Sequence, residues 1–212
     1  MVVVGLTGGI GAGKSTVAAM LVSRGAVLVD ADQVAREVVE PGGPAYRPLV
    51  ERFGEKILDT DGRIDRPRLA AAAFGDPDSL ADLNAITHPV IGAEMLARRD
   101  RHAVPGAVVV MDIPLLRPEH REVLSLAAVV VVDAPPEIAL RRLVEQRGMD
   151  ESDARARMAA QPDRAARLEG ADFVVDNSGD VEQLAAGVDR LWSRLRELAE
   201  AEARTAPAGP AA

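Results

Sequence analysis

Residues Gly8 to Ser15 read Gly-Gly-Ile-Gly-Ala-Gly-Lys-Ser and fit G-x-x-x-x-G-K-[ST], the pattern of a phosphate-binding P-loop. This stretch constrains the fold because its chemistry requires a strand before it and a helix after it. Val2-Val3-Val4 reads as a short buried strand and Thr16 to Val22 as a helix, so both are in place. The glycines permit the tight positive-φ path that lets backbone N–H groups close around phosphate oxygens. Lys14 reaches β- and γ-phosphates, the Ser15 hydroxyl ligates Mg²⁺, and the helix N-terminus adds its dipole. The chain has 25 basic residues but only two lysines, Lys14 and Lys56, and one of them falls where a P-loop needs it.

The 212 residues suffice for one substantial core with an inserted lobe. With no cysteine, disulfides, thiolate metal sites and thiol catalysis are excluded. His88, His102 and His120 are too scattered to suggest a metal cluster. A net charge of −8 and 2% aromatic content argue against a nucleic-acid partner. No apolar run approaches bilayer length, and the chain enters its first strand without a basic leader, so a cytoplasmic protein without membrane association is expected. Seven arginines, Arg141, Arg142, Arg147, Arg155, Arg157, Arg164 and Arg167, crowd one segment. They form either a solvated helical face or a lid that clamps phosphates.

Along the chain, Ala26 to Val29 is expected to form a second strand, followed by Asp30-Ala31-Asp32 and a helix over Gln33 to Val39. Asp30 or Asp32 suits a helix N-cap, but two carboxylates at a strand's carboxyl end also sit where open α/β sheets bind ligands. From Ala45 to His102 the pattern is helical: Pro48 to Phe53, Pro67 to Phe74, and a longer helix from Asp78 to Leu96, which leaves His88 as a helix-end histidine. Asp59 to Gly62 has the D-x-x-G form of a GTPase switch. Strands return at Ala107 to Asp112, Ala127 to Val132 and Ala171 to Asp176. Asp112 is either an ordinary strand-end residue or a group that positions Mg²⁺ through water. Helices are expected over Pro135 to Arg147, Asp150 to Gln161 and Asp180 to Ala203, with Gly148 as a hinge between the first two. The alternation predicts an α/β P-loop fold of three layers with a five-stranded parallel sheet, right-handed crossovers and no internal repeat.

The motifs together resemble the dephospho-CoA kinase family. The resemblance rests on Gly5 to Ser15, Asp30-Ala31-Asp32 with Ala35 to Val39, and Leu83-Asn84-Ala85-Ile86 with His88-Pro89. It continues through Pro114-Leu115-Leu116, Arg142-Leu143, Ala159-Ala160-Gln161 and Ala171 to Asn177, in order from about residue 2 to 203. It implies one kinase domain over residues 1–203. The core would lie at about 1–44, 106–140 and 170–203, an acceptor-binding helical insert at about 45–105, a lid at about 141–168, and a disordered tail at 204–212. It also implies ATP and Mg²⁺, a dephospho-CoA acceptor and transfer to its ribose 3′-hydroxyl, the last step of coenzyme A synthesis. Gly11, Ala12, Gly13, Lys14, Ser15 and Thr16 would hold the ATP phosphates, and Asn177 would border adenine. Asp32 would be the base, Asn84, His88 and Leu115 would border the acceptor, and Arg142 with Arg147 would approach the transferring phosphoryl group. Ser15 and Asp112 would serve the metal. Where the family carries a hydrophobic residue and then Glu after Pro-Leu-Leu, this chain has Arg117-Pro118-Glu119, and the lid shows Gln146-Arg147 where Arg-Asp or Arg-Asn is usual.

The competing class is a regulatory nucleotide switch. Its GTPase form needs N/T-K-x-D, and neither Lys14 nor Lys56 lies in one, so that form is excluded. An ATP-dependent switch, or a kinase for another small metabolite, remains as the alternative. The expected assembly is a monomer.

Overall fold

The computed structural model describes residues 1–205. In chain order the elements are β1 (Val2–Gly8), α1 (Lys14–Ser23), β2 (Val27–Asp30), α2 (Ala31–Glu37), α3 (Tyr46–Phe53), a 3-10 turn (Glu55–Ile57), α4 (Arg66–Phe74) and α5 (Pro77–Asp100). They continue with β3 (Val108–Asp112), α6 (Pro118–Val123), β4 (Ala128–Asp133), α7 (Pro136–Glu145), α8 (Glu151–Ala159), α9 (Arg164–Glu169), β5 (Phe173–Asp176) and α10 (Val181–Thr205). The chain divides into two compact units, Met1–Val29 with Arg101–Ala212, and Asp30–Asp100.

The first unit is built on a five-stranded, all-parallel sheet in the order β2-β3-β1-β4-β5. Strand β1 is central, pairing in parallel with β3 from Val2 opposite Val108 to Leu6 opposite Asp112. On its other side it pairs with β4 from Val4 opposite Ala128 to Gly8 opposite Val132. All seven β1 residues are buried, as expected for a parallel strand covered on both faces, which shows in sequence as a continuous apolar run. Val2, Val4 and Leu6 face the core shared with Val17 and Leu21 of α1 and with Leu184, Val188, Leu191 and Leu195 of α10. The α10 positions recur at helical spacing, so one apolar stripe of that helix covers the sheet.

Strand β1 is longer than the Val2-Val3-Val4 run suggested. Gly5 continues it because the side chains of Leu116 and Leu126 crowd the place a Cβ would take there. Helix α6 and helix α9 were not expected from the sequence; each has six residues, too few to display a helical period. Helix α7 ends at Glu145 rather than Arg147, closed by Gly148 N–H on the Val144 carbonyl (3.1 Å), with Gly148 at φ +62°. Helix α8 begins after Asp150, whose carboxylate caps Ser152 N–H at 2.8 Å, and stops at Ala159, so Gln161 lies in a connector. Those bonds hold the Asp150 carboxyl below its ordinary range, the Ser152 hydroxyl contributing most. Arg204 and Thr205 are helical rather than part of a tail, as suits the Ala-rich end of α10. The remainder of the expected disordered tail, 206–212, lies outside the described residues.

In the second unit α5 packs against α2 and α4, with Val34, Leu49, Phe53, Ile57 and Met95 buried. Arg98 of α5 pairs with Glu37 of α2 and with Glu94 at 2.8 Å. The hydrogen bond from Arg98 holds Glu37 below its ordinary carboxylate value. Helix α5 spans 24 residues without interruption at Pro89. His88 is therefore an exposed mid-helix residue, not a helix-end one. The Asp59 to Gly62 segment is a turn in which the Asp59 carboxylate accepts from Asp61 and Arg63 N–H, both at 2.9 Å. It serves the backbone of that turn.

Candidate active site

Strand β1 delivers the chain to Gly8, and α1 starts at Lys14. Between them Ala12 N–H donates to the Gly9 carbonyl at 3.0 Å, and Gly11 and Gly13 take left-handed φ values of +79° and +93°. A side chain at Gly11 would also press on the Ala139 carbonyl. The first amides of α1 have no intrahelical acceptor, so the loop presents N–H donors and the positive helix end together. Ser15 and Thr16 are exposed at that end.

Lys14 Nζ forms an ion pair with the Asp112 carboxylate at the end of β3. The Asp112 side chain is only 6% exposed. Strand register places Asp112 opposite Leu6 of β1, which is why the two residues meet although far apart in sequence. Among the described residues no group of three or more His, Cys, Asp or Glu could hold a metal. A Mg²⁺ ion held by one or two protein ligands plus substrate oxygens needs no such group, and Ser15 with Asp112 fits that pattern.

Asn177, in the loop after β5, is buried and ties the site together. Its Nδ2 donates to the Ala12 carbonyl at 2.7 Å, and its Oδ1 accepts from Arg142 Nη2 at 3.3 Å. Arg142 Nη1 is buried with no hydrogen-bond partner among the described residues. A buried unpaired guanidinium nitrogen is costly, so an acceptor on a ligand would relieve it. The adjoining cavity, about 210 Å³, is lined by Gly11, Gly13, Ser15, Thr16, Arg142, Arg147 and Asn177 among others. A nucleotide polyphosphate suits this donor set. Arg155, by contrast, is exposed and paired along its own helix with Glu151 at 2.7 Å.

A second cavity, about 430 Å³, lies between the P-loop and the α8–α9 connector, bordered by Gly9, Ile10, Ala12, Asp133, Gln161, Arg164 and Arg167 among others. Arg164 donates to both Asp133 oxygens, at 2.9 and 2.6 Å, and these bonds raise its pKa above the ordinary arginine value. Arg164 and Arg167 entered the sequence reading only as members of the arginine run, and Gln161 was not singled out as a site residue. The signal available was the Ala159-Ala160-Gln161 motif within the family resemblance. Leu115, 53% exposed, follows Pro114, whose carbonyl accepts from Thr7 Oγ1 at 3.1 Å.

Asp32, Asn84 and His88 belong to the second unit. There Asp30 is the N-cap of α2, its Oδ1 accepting from Asp32 N–H at 2.8 Å and Gln33 N–H at 3.1 Å. Asp32 therefore stands in the first helical turn with an exposed side chain that does no capping. Asn84 and His88 are one helical turn apart on α5 and so share a face.

A parallel sheet with a P-loop at the end of its central strand, a helical unit and arginine-bearing helices over the loop define a P-loop kinase. The fold matches a crystal structure of TT1252 from Thermus thermophilus, with a TM-score of 0.77 and 32% identity, covering 92% of this chain and 97% of that one. It also matches a dephospho-CoA kinase from Campylobacter jejuni, with a TM-score of 0.71 and 23% identity over 92% and 97% of the two chains, a likeness of fold. A family model described as dephospho-CoA kinase matches residues 2–183. A curated dephospho-CoA kinase of Streptomyces avermitilis is 53% identical over 195 residues, 92% of this chain and 94% of that protein. The chain belongs to the dephospho-CoA kinase family.

Proposed function

We propose that this chain transfers the γ-phosphoryl group of ATP to the ribose 3′-hydroxyl of dephospho-CoA, giving coenzyme A and ADP. The observation that carries this reading is the family match over residues 2–183, which begins on a complete strand–P-loop–helix unit. In the reaction the hydroxyl oxygen bonds to the γ-phosphorus, and the bond to the β–γ bridging oxygen breaks. The hydroxyl proton passes to Asp32, whose exposed carboxylate is free of capping duty. Phosphoryl transfer asks mainly for positioning and charge neutralisation, because the transition state is loose. Lys14 and the P-loop from Gly11 to Thr16 hold the phosphates, while Asn177 and the Arg142 guanidinium border the nucleotide. Ser15, and Asp112 through water, would hold Mg²⁺, which would supply positive charge to the phosphate oxygens. Asn84 and His88, within an insert of about 45–105, border the acceptor together with Leu115. The enzyme works as a cytoplasmic monomer without nucleic-acid or membrane partners; among the described residues no helix is long and apolar enough to cross a membrane.

The test is ADP release with ATP and Mg²⁺ across a panel of small hydroxyl acceptors. Release that depends on dephospho-CoA and yields coenzyme A supports the reading. Transfer to a different acceptor, or slow hydrolysis indifferent to any acceptor, overturns it in favour of another metabolite kinase or a switch.

Arg142 and Arg147, on the lid of about 141–168, are assigned to charge neutralisation at the transferring group. Alanine at either position is expected to lower kcat by about tenfold or more, with a smaller rise in KM for dephospho-CoA. Arg155→Ala and Arg157→Ala, on the exposed face of α8, are expected to keep near-normal kinetics. Equal small losses at all four positions would remove the lid from the mechanism.

A further inference from the structure

The Ala159-Ala160-Gln161 segment has no role in the mechanism above, yet it reaches the phosphate loop across the fold. Gln161 Oε1 accepts a hydrogen bond from Ile10 N–H at 2.8 Å. Ile10 stands in the middle of the P-loop, so this bond turns one loop amide sideways, toward the connector, and fixes the Gly9–Ile10 peptide plane. Gly9 shows how closely the connector approaches. A Cβ there would lie 2.9 Å from Arg167 Nη2 and 3.6 Å from Gln161 Oε1, so the absence of a side chain lets both groups cover the loop.

The connector is anchored on both sides of this contact. Arg167 also donates to the Pro162 carbonyl, next to Gln161 in the chain. Arg164, one residue past the Pro162-Asp163 pair, holds both oxygens of Asp133 at the end of β4. Gln161 is thus the direct side-chain tie between the P-loop backbone and the segment that carries Arg167. A neutral amide suits this place. It accepts the Ile10 proton without setting a negative charge beside a phosphate site, as a carboxylate would.

We propose that Gln161 is a positioning residue for phosphoryl transfer, holding the P-loop at Ile10 and setting Arg167 over Gly9. This rests on the kinase reading above. Preorganised donors contribute to rate only while their geometry is held, and a displacement of about 1 Å can cost on the order of a hundredfold.

The experiment compares wild type with Gln161→Met, Gln161→Glu, Arg167→Met and the Gln161→Met/Arg167→Met double variant. Kinetics are measured with ATP, Mg²⁺ and dephospho-CoA, thermal melting reports the fold, and amide hydrogen exchange reads the peptide containing Ile10. Methionine keeps the volume of Gln161 but removes the acceptor oxygen. Gln161→Met is expected to lower kcat by about ten- to a hundredfold, more than it raises KM for ATP, with melting unchanged and faster exchange at Ile10. Gln161→Glu, which keeps an acceptor oxygen but sets a negative charge beside the phosphates, is expected to restore slow exchange at Ile10 while kcat stays lowered. The double variant is expected to fall no further than the worse single variant, because the two groups act as one unit. Faster exchange at Ile10 with undiminished kcat, losses that multiply in the double variant, or activity that falls only in step with melting would each overturn the proposal. Failure of wild type to phosphorylate dephospho-CoA would instead count against the kinase reading, since the exchange measurement needs no turnover.

Discussion

Lys14→Met is expected to lower the rate of phosphoryl transfer by about three orders of magnitude while the protein remains folded. The fold should survive because Lys14 lies at the first position of α1, and the apolar core beneath is supplied by Val17, Ala18 and Leu21. Methionine keeps the length of the stem and favours helix, so the start of α1 is preserved. The loss falls on charge. Lys14 is the P-loop cation, and in this structure it already has a carboxylate partner in Asp112. The check is single-turnover transfer beside a circular-dichroism melt. A folded variant with near-normal turnover would remove the P-loop from the mechanism.

Asp32→Asn is the second large effect expected, a fall in kcat of about a hundredfold or more with little change in melting temperature. Asparagine matches aspartate in size but cannot take up the hydroxyl proton. The structure makes the control specific, because the cap of α2 is Asp30, which accepts from two backbone amides. Asp30→Ala should accordingly cost about 1 kcal/mol of stability, the usual value of an N-cap. Melting and kcat measured on both variants separate the roles. A variant at 32 that loses stability and keeps its rate would move the base elsewhere, with Asp30 the next residue to test.

The sequence carried the sheet better than the site. Strands buried on both faces appear as unbroken apolar runs, and Val108 to Val110 and Ala128 to Val132 were legible for that reason. The second half of β1 was not, because Gly5 and Gly8 resemble loop residues until Leu116 and Leu126 are seen packed over Gly5. The P-loop was legible because its residues are contiguous and each has a local mechanical reason. The choice between Asp30 and Asp32 as cap was not, since both are of a capping residue type and only backbone geometry at the strand–helix junction decides it. The link from Gln161 to Ile10 spans 151 positions, beyond any local pattern. For Arg164 the sequence shows only one more charged residue of an arginine run; its pairing with Asp133 depends on where β4 ends.

Strands β3, β4 and β5 end on Asp112, Asp133 and Asp176. The first is covered by Lys14 and the second by Arg164, while the third accepts from the amide and hydroxyl of Ser178. The rim that is to receive a polyanion is therefore lined by carboxylates, and its attraction for phosphate is a balance between opposed charges rather than a surplus of cations. Removing a cation from such a rim changes the local charge by one unit and leaves the carboxylate that it faced uncompensated. A neutral substitution at Lys14 or Arg164 thus turns a neutral pair into a net negative charge facing an incoming nucleotide.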